Sequence, residues 1–139
     1  MDLSVLNTDL SKYSVLAVDD IPLNLLLLQK MLGRFNFRLK TVASGQAVLD
    51  AVAEEKPALI FLDLMMPGID GFEVLRRLRS NPETEYIHIV ILSALNSNDD
   101  IVKGLKLGAN DFITKPIIME RLLNSVATQF QLIEAKNRK

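Results

Sequence analysis

The amino-acid sequence predicts an α/β fold: a five-stranded parallel sheet, doubly wound, with five helices. Three observations carry that prediction. Short apolar, β-branched runs alternate with longer amphipathic stretches, the rhythm of successive β-α units. The runs are continuous rather than alternately apolar and polar, as strands covered on both faces require. Gly45, Gly71 and Gly108 punctuate the joins, where turns and caps favour glycine.

Taken in order, residues 1–13 form a polar N-terminal arm without a clear period, either a short cap or a disordered segment. Strands are predicted over 15–18, 39–42, 58–62, 87–92 and 112–113. Helices are predicted over 22–34, 46–54, 72–79, 97–107 and 118–135. Pro22 suits the first turn of its helix, where its missing N–H costs nothing. That helix is rich in leucine. At about 100° per residue, Leu27, Leu28, Met31, Leu32 and Phe35 fall on one stripe facing the sheet. Leu26 lies nearly opposite the stripe, and Leu23 and Leu25 flank it. In the last helix Leu123, Val126, Phe130 and Ile133 follow a 3-4-3 spacing, that of a short heptad seam, and the first half of that helix must pack on the sheet. The organisation reads as an arm over 1–13, one domain over 14–130, and a tail over 131–139. The tail reads as a C-terminal helix extension, a dimer contact, or a truncated linker to an effector.

Composition excludes several classes. The chain has 139 residues, enough for one domain with a real core. It is 49% hydrophobic and 24% charged, ordinary globular usage rather than that of a disordered tail. A net charge of −1 gives no reason to expect direct binding to nucleic acid or to an acidic membrane. There is no cysteine, so neither a disulfide framework nor a thiolate metal site is available. No stretch has the apolar length of a membrane span or the pattern of a signal peptide. A cytoplasmic location is expected.

The polar residues that close the apolar runs carry the chemistry. They are Asp19-Asp20, Asp63, Ser93 and Lys115. In a doubly wound sheet, sites gather at the carboxyl ends of the strands, so these five would share one edge. Singly, each is a turn acid, a loop hydroxyl or a surface charge. His88, the lone histidine, sits within an apolar strand pattern and is assigned a packing role.

The ordered set resembles the response-regulator receiver domain of two-component phosphorelay systems. Asp20, Asp63, Ser93 and Lys115 are separated in turn by 43, 30 and 22 residues. The segments Asp63-Leu64-Met65-Met66-Pro67-Gly68-Ile69-Asp70-Gly71 and Gly108-Ala109-Asn110-Asp111-Phe112-Ile113-Thr114-Lys115-Pro116 are typical of that family, and the likeness runs from about 15 to 127. It implies the flavodoxin-like strand order 2-1-3-4-5. It also implies that Asp63 is the phosphoacceptor and, with Asp19, Asp20 and the Met65 backbone carbonyl, a ligand of Mg²⁺ (or Mn²⁺). Lys115 would pair with a phosphoryl oxygen across a cis Lys115-Pro116 bond. Ser93 and Phe112 would form the conformational switch. The chemistry asks for these groups: a carboxylate nucleophile makes an aspartyl phosphate, and a divalent ion neutralises the incoming phosphoryl oxygens.

Further expectations follow from the resemblance. The phosphoryl donor would be a sensor histidine kinase or a phosphotransfer protein, docking on Leu23, Leu26 and Pro116. A homodimer surface would involve the fourth helix, fifth strand and fifth helix. The chain would act only on itself, catalysing its own aspartyl phosphorylation and a slow dephosphorylation. Slowness is expected because Met65 and Leu95, two residues beyond Asp63 and Ser93, neither act as a base nor orient water. Two other classes on related chemistry or fold fit less well. Haloacid-dehalogenase-type hydrolases want a second acid where Met65 stands. A flavin protein wants a phosphate loop where Asp19-Asp20 would repel the anion. No DNA-binding motif is present.

Overall fold

Every predicted strand and helix forms, with ends displaced by no more than two residues. The computed structural model describes residues 3–95 and 97–137. In chain order the elements are β1 (Ser14–Val18), α1 (Pro22–Leu32), β2 (Arg38–Val42), α2 (Gly45–Glu54), β3 (Leu59–Asp63), α3 (Gly71–Arg79), β4 (His88–Ser93), α4 (Asn98–Lys106), β5 (Asp111–Thr114) and α5 (Met119–Asn137). The sheet is parallel throughout and ordered β2-β1-β3-β4-β5.

Period-two side-chain alternation splits the core into two layers. Leu59 and Phe61 of β3 and Val90 and Leu92 of β4 pack with Leu28 and Leu32 of α1 and Leu122, Val126 and Phe130 of α5. Their neighbours Ile60, Leu62, Ile89 and Ile91 face the other way, against Val48 and Val52 of α2 and Val74, Leu75 and Leu78 of α3. Each such fully buried side chain contributes about 1.5–3 kcal/mol, which makes these two layers the main source of stability. β3 and β4 are buried along their whole length, whereas the edge strand β2 alternates exposed and half-buried residues. Its exposed Arg38 and Lys40 guard the open edge against further strand pairing.

Helix starts follow cap chemistry. Ser44, Asp70 and Ser97 accept the backbone N–H groups of Ala47, Glu73 and Asp100 at 3.1, 2.9 and 3.1 Å. Each such cap stabilises its helix by about 1 kcal/mol. α1 has no side-chain cap and starts on Pro22, consistent with the first-turn role expected for it.

The packing bears on three of the sequence expectations: it fits one of the two readings of the arm, narrows the α1 stripe and extends the buried face of α5. The arm is a packed cap: Ser4–Asn7 form a 3-10 turn, and Val5, Leu10 and Tyr13 are buried. Tyr13 sits 5.4 Å from Phe130, ring to ring, and its hydroxyl donates to Glu134 at 2.9 Å. The arm read as polar because its three apolar anchors have no regular spacing. Met1 and Asp2, at its start, lie outside the described residues.

The α1 stripe is narrower than drawn. Leu28 and Leu32 are buried, Met31 and Phe35 are half-buried, and Leu27 is 52% exposed. Leu27 misses the core because the sheet meets the side of α1 that carries Leu28 and Leu32, with Met31 and Phe35 packed at its margin.

The first half of α5 packs on the sheet as expected, and the 3-4-3 spacing stays buried as far as Ile133. Val126, Phe130 and Ile133 are buried in the chain's own core, and Leu123 is half-buried. Heptad spacing and a helix packed on a sheet bury the same face. α5 runs unbroken past residue 130 to Asn137; Arg138 and Lys139 lie outside the described residues.

Candidate functional site

The topology brings Asp19, Asp20, Asp63, Ser93 and Lys115 to one end of the sheet. β1 and β3 are neighbours, as are β3 and β4, and β4 and β5, so their carboxyl ends form one row. Asp63 and Ser93 are the last residues of β3 and β4 rather than the first beyond them. Both are therefore deep: Asp63 is 4% exposed, Asp19 2% and Ser93 0%.

The acids are crowded. One carboxylate oxygen from each of Asp19, Asp20 and Asp63 lies within 4.8 Å of the others. Lys115 supplies the local positive charge, its Nζ 2.6 Å from Asp19 Oδ2 and 3.8 Å from Asp63 Oδ1. Asp19 Oδ1 accepts the Ile21 N–H at 3.0 Å. Asp63 Oδ1 accepts a long 3.4 Å bond from Met65 N–H. Asp20 Oδ1 is buried with no hydrogen-bond partner.

Electrostatics follow from this crowding. Burial pushes the Asp63 carboxyl up to about 6, with Asp19 and Asp20 adding to the rise and Lys115 and the Met65 N–H opposing it. A buried acid among acids is costly to ionise. The orphaned Asp20 oxygen and the three converging carboxylates fit a hard divalent cation. Mg²⁺ takes oxygen ligands, one or two carboxylates with waters and phosphate, and no soft sulfur or imidazole ligand intrudes here. Asp19, Asp20 and Asp63 would hold it; the Met65 side chain is 57% exposed.

Ser93 and Lys115 are coupled through the sheet, since the Lys115 N–H donates to the Ser93 carbonyl at 2.8 Å. The Ser93 hydroxyl oxygen accepts the Leu95 N–H at 3.1 Å. The Lys115-Pro116 peptide is cis. Phe112 lies in β5, 8% exposed, in the layer beneath α4.

Around the site, Leu23 and Leu26 are 63% and 48% exposed. Between α1 and the loop after β5 opens a cavity of about 540 Å³. Leu27, Leu28, Met31, Lys115 and Pro116 line it, whereas Leu23 and Leu26 lie outside the lining.

The supporting roles of two residues, Gly71 and Arg79, are not visible in the sequence. A Cβ at Gly71 would run into the Asp63 carbonyl and come 2.7 Å from Leu64 Cα. The glycine thus lets α3 pack directly on the backbone that carries Asp63. Only its place in the segment after Asp63 hinted at this. Arg79 donates to Gly108 O, Glu85 O and Asn110 Oδ1 at 2.9, 2.9 and 3.1 Å, and nothing in its local sequence marks it.

Comparisons with known proteins agree in one direction. A family model described as the response regulator receiver domain matches residues 15–127. The response regulator PleD of Caulobacter vibrioides is 40% identical over 121 residues, 86% of this chain and 27% of PleD. Protein PilH of Pseudomonas aeruginosa is 32% identical over 112 residues, 81% of this chain and 93% of PilH. The chain thus spans about a quarter of PleD and nearly all of PilH. Among solved structures, the BeF3-activated N-terminal receiver domain of Klebsiella pneumoniae RstA is similar, with a TM-score of 0.76 and 30% identity. That match covers 84% of this chain and 97% of the RstA domain.

Proposed function

This chain belongs to the response-regulator receiver family, and from that premise we propose that Asp63 is its phosphoacceptor, served by Asp19, Asp20, Lys115, Ser93 and Phe112. As a receiver domain it is a phosphoacceptor signalling module of two-component systems. Receiver domains exchange phosphoryl groups with histidine kinases or phosphotransfer proteins. The observation that supports the residue assignment is the crowded trio of carboxylates, Asp19 and Asp63 buried and Asp20 half-buried with one oxygen left without a partner, beside the Lys115 ammonium.

In this reading an Asp63 carboxylate oxygen attacks phosphorus. The new O–P bond forms as the P–N bond to the donor imidazole breaks, and the nitrogen leaves with the electron pair. Mg²⁺, when bound, neutralises charge on the phosphoryl oxygens. Lys115, now shared between Asp19 and Asp63, turns to a phosphoryl oxygen. The Ser93 hydroxyl gives up the Leu95 N–H and donates to another. Phe112, lacking a hydroxyl, follows without burying an unsatisfied polar group. The outcome is a population shift driven by contacts available only in the phosphorylated site.

The signal is long-lived in this reading, because the Met65 and Leu95 side chains offer no base and no hydrogen bond for an attacking water. Leu23, Leu26 and Pro116 form the docking face for the donor, beside the cavity that leads to Asp19 and Lys115. The chain's own chemistry is limited to forming and slowly losing its aspartyl phosphate.

Labelling with acetyl phosphate tests the core of this. Metal-dependent labelling of the wild type that is lost in Asp63→Asn is expected, followed by a decay lasting many minutes. Equal labelling of both proteins overturns the assignment. Decay within seconds, unchanged by a polar residue at Leu95, overturns the long lifetime alone.

A further inference from the structure

α4 meets the sheet through a glycine. Of its described residues only Gly104 is buried, while Val102 and Leu105 on the same helix are 46% and 45% exposed. An interior glycine is a poor helix residue, and alanine would serve the helix better. Space explains the glycine. A Cβ at 104 would lie 2.7 Å from Ile91 Cδ1, 3.3 Å from Phe112 Cδ2 and 3.5 Å from Phe112 Cε2. Ile91 and Phe112 are register partners on β4 and β5, and Gly104 sits over the pair. The tip of Ile91 can swing aside, since it ends a flexible side chain. The Phe112 ring is flat and stiff, so a Cβ at 104 would force its edge to give by a few tenths of an ångström against the strand beneath it.

The geometry points to Gly104 as a positioning residue for Phe112, one that sets how readily the ring lies beneath α4 and hence the resting balance of the switch. This rests on the reading of Ser93 and Phe112 as switch residues. Gly104 touches neither the carboxylates nor the incoming phosphoryl group. It acts on the site by linkage: whatever disfavours the buried ring disfavours the conformer that the phosphorylated site selects. The same linkage makes the effect readable at the site, as a weaker hold on a phosphoryl mimic.

The test is titration of the full chain with beryllofluoride in saturating Mg²⁺, followed by NMR, for the wild type, Gly104→Ala, Phe112→Leu and the double variant. Gly104→Ala is expected to weaken the apparent affinity by roughly three- to tenfold, with the affinity for Mg²⁺ alone unchanged. In the Phe112→Leu background the same substitution is expected to cost nothing, because the ring edge it crowds is gone. Gly104→Val would enlarge the effect, and should it fail to fold, the alanine variant decides. Unchanged or tighter binding in Gly104→Ala overturns the proposal. So does an equal loss in both backgrounds, which would mark a purely structural role. Wild-type affinity in Phe112→Leu would instead sink the switch reading itself, and this proposal with it.

Discussion

Both ends of the sheet carry buried polar groups and treat them in opposite ways. At the amino end each has a partner. His88 Nδ1 lies 2.7 Å from Gln129 Oε1. Arg79 reaches three oxygens on two loops, and one of these, Asn110 Oδ1, also takes the Ile89 N–H at 2.8 Å. At the carboxyl end two of three crowded carboxylates, Asp19 and Asp63, share one lysine, and an oxygen of the third, Asp20, has no partner. Satisfied networks stabilise, while crowded charges cost stability and are kept where a ligand will use them. The contrast separates the groups that hold the fold from those that await something.

The largest effect on stability is expected from Arg79→Leu. It leaves the Gly108 and Glu85 carbonyls without their donor, and unfolding in urea should show a loss of about 2–4 kcal/mol. A loss under about 0.5 kcal/mol would erase the distinction between the two ends.

Next, removing charge at the other end should stabilise. The Asp63 carboxyl is raised from its ordinary 3.8 to about 6 by burial. The ionised form is therefore disfavoured in the fold, so this residue's contribution falls as pH rises between those values and stays low above them. At pH 7 and without metal, Asp63→Asn should gain about 1–3 kcal/mol. Mg²⁺ should then raise the melting temperature of the wild type more than that of the variant. A metal-free variant no more stable than the wild type would contradict the crowding argument.

A smaller effect concerns His88. Burial holds its imidazole below the ordinary 6.5, with Lys136 and Arg79 acting the same way and the Gln129 bond opposing them. The unfolded chain takes up the proton first. The stability this histidine contributes is thus complete above 6.5 and is lost as pH falls below it, with a slope of at most about 1.4 kcal/mol per pH unit. Urea midpoints between pH 5 and 7.5 should flatten in His88→Gln; an unchanged slope would place the acid sensitivity elsewhere.

Smallest in stability is Leu26→Lys, expected within about 0.5 kcal/mol of the wild type because the side chain is a surface one. It should nevertheless abolish transfer from the donor protein while leaving acetyl-phosphate labelling intact. Unaffected transfer would remove Leu26 from the docking face.

Much of this was legible in the chain. The alternation of apolar runs and amphipathic stretches marked every strand and helix, because burial on two faces leaves a continuous apolar signature. The strand-end residues Asp19, Asp20, Asp63, Ser93 and Lys115 stand out in the sequence alone, since a parallel sheet puts such ends on one edge. The roles of Arg79, Gly71 and Gly104 were not legible. Each depends on what another element brings against it, and neither a lone arginine nor a glycine carries that in its neighbours. Leu27 was misplaced for the same reason: a helical stripe shows which residues share a face, not how much of that face is covered.

By itself the sequence determined the order of elements, the sheet's burial on both faces and the identity of the polar strand ends, all of which follow from periodicity and the chirality of β-α crossovers. Only the tertiary structure decided that the N-terminal arm packs on α5, that the α5 spacing stays buried as far as Ile133, and that α4 rests on Phe112 through a bare glycine. The physical reason is range. Periodicity is a property of neighbours along the chain, whereas crowding, orphaned oxygens and close approach arise between residues that different elements bring together.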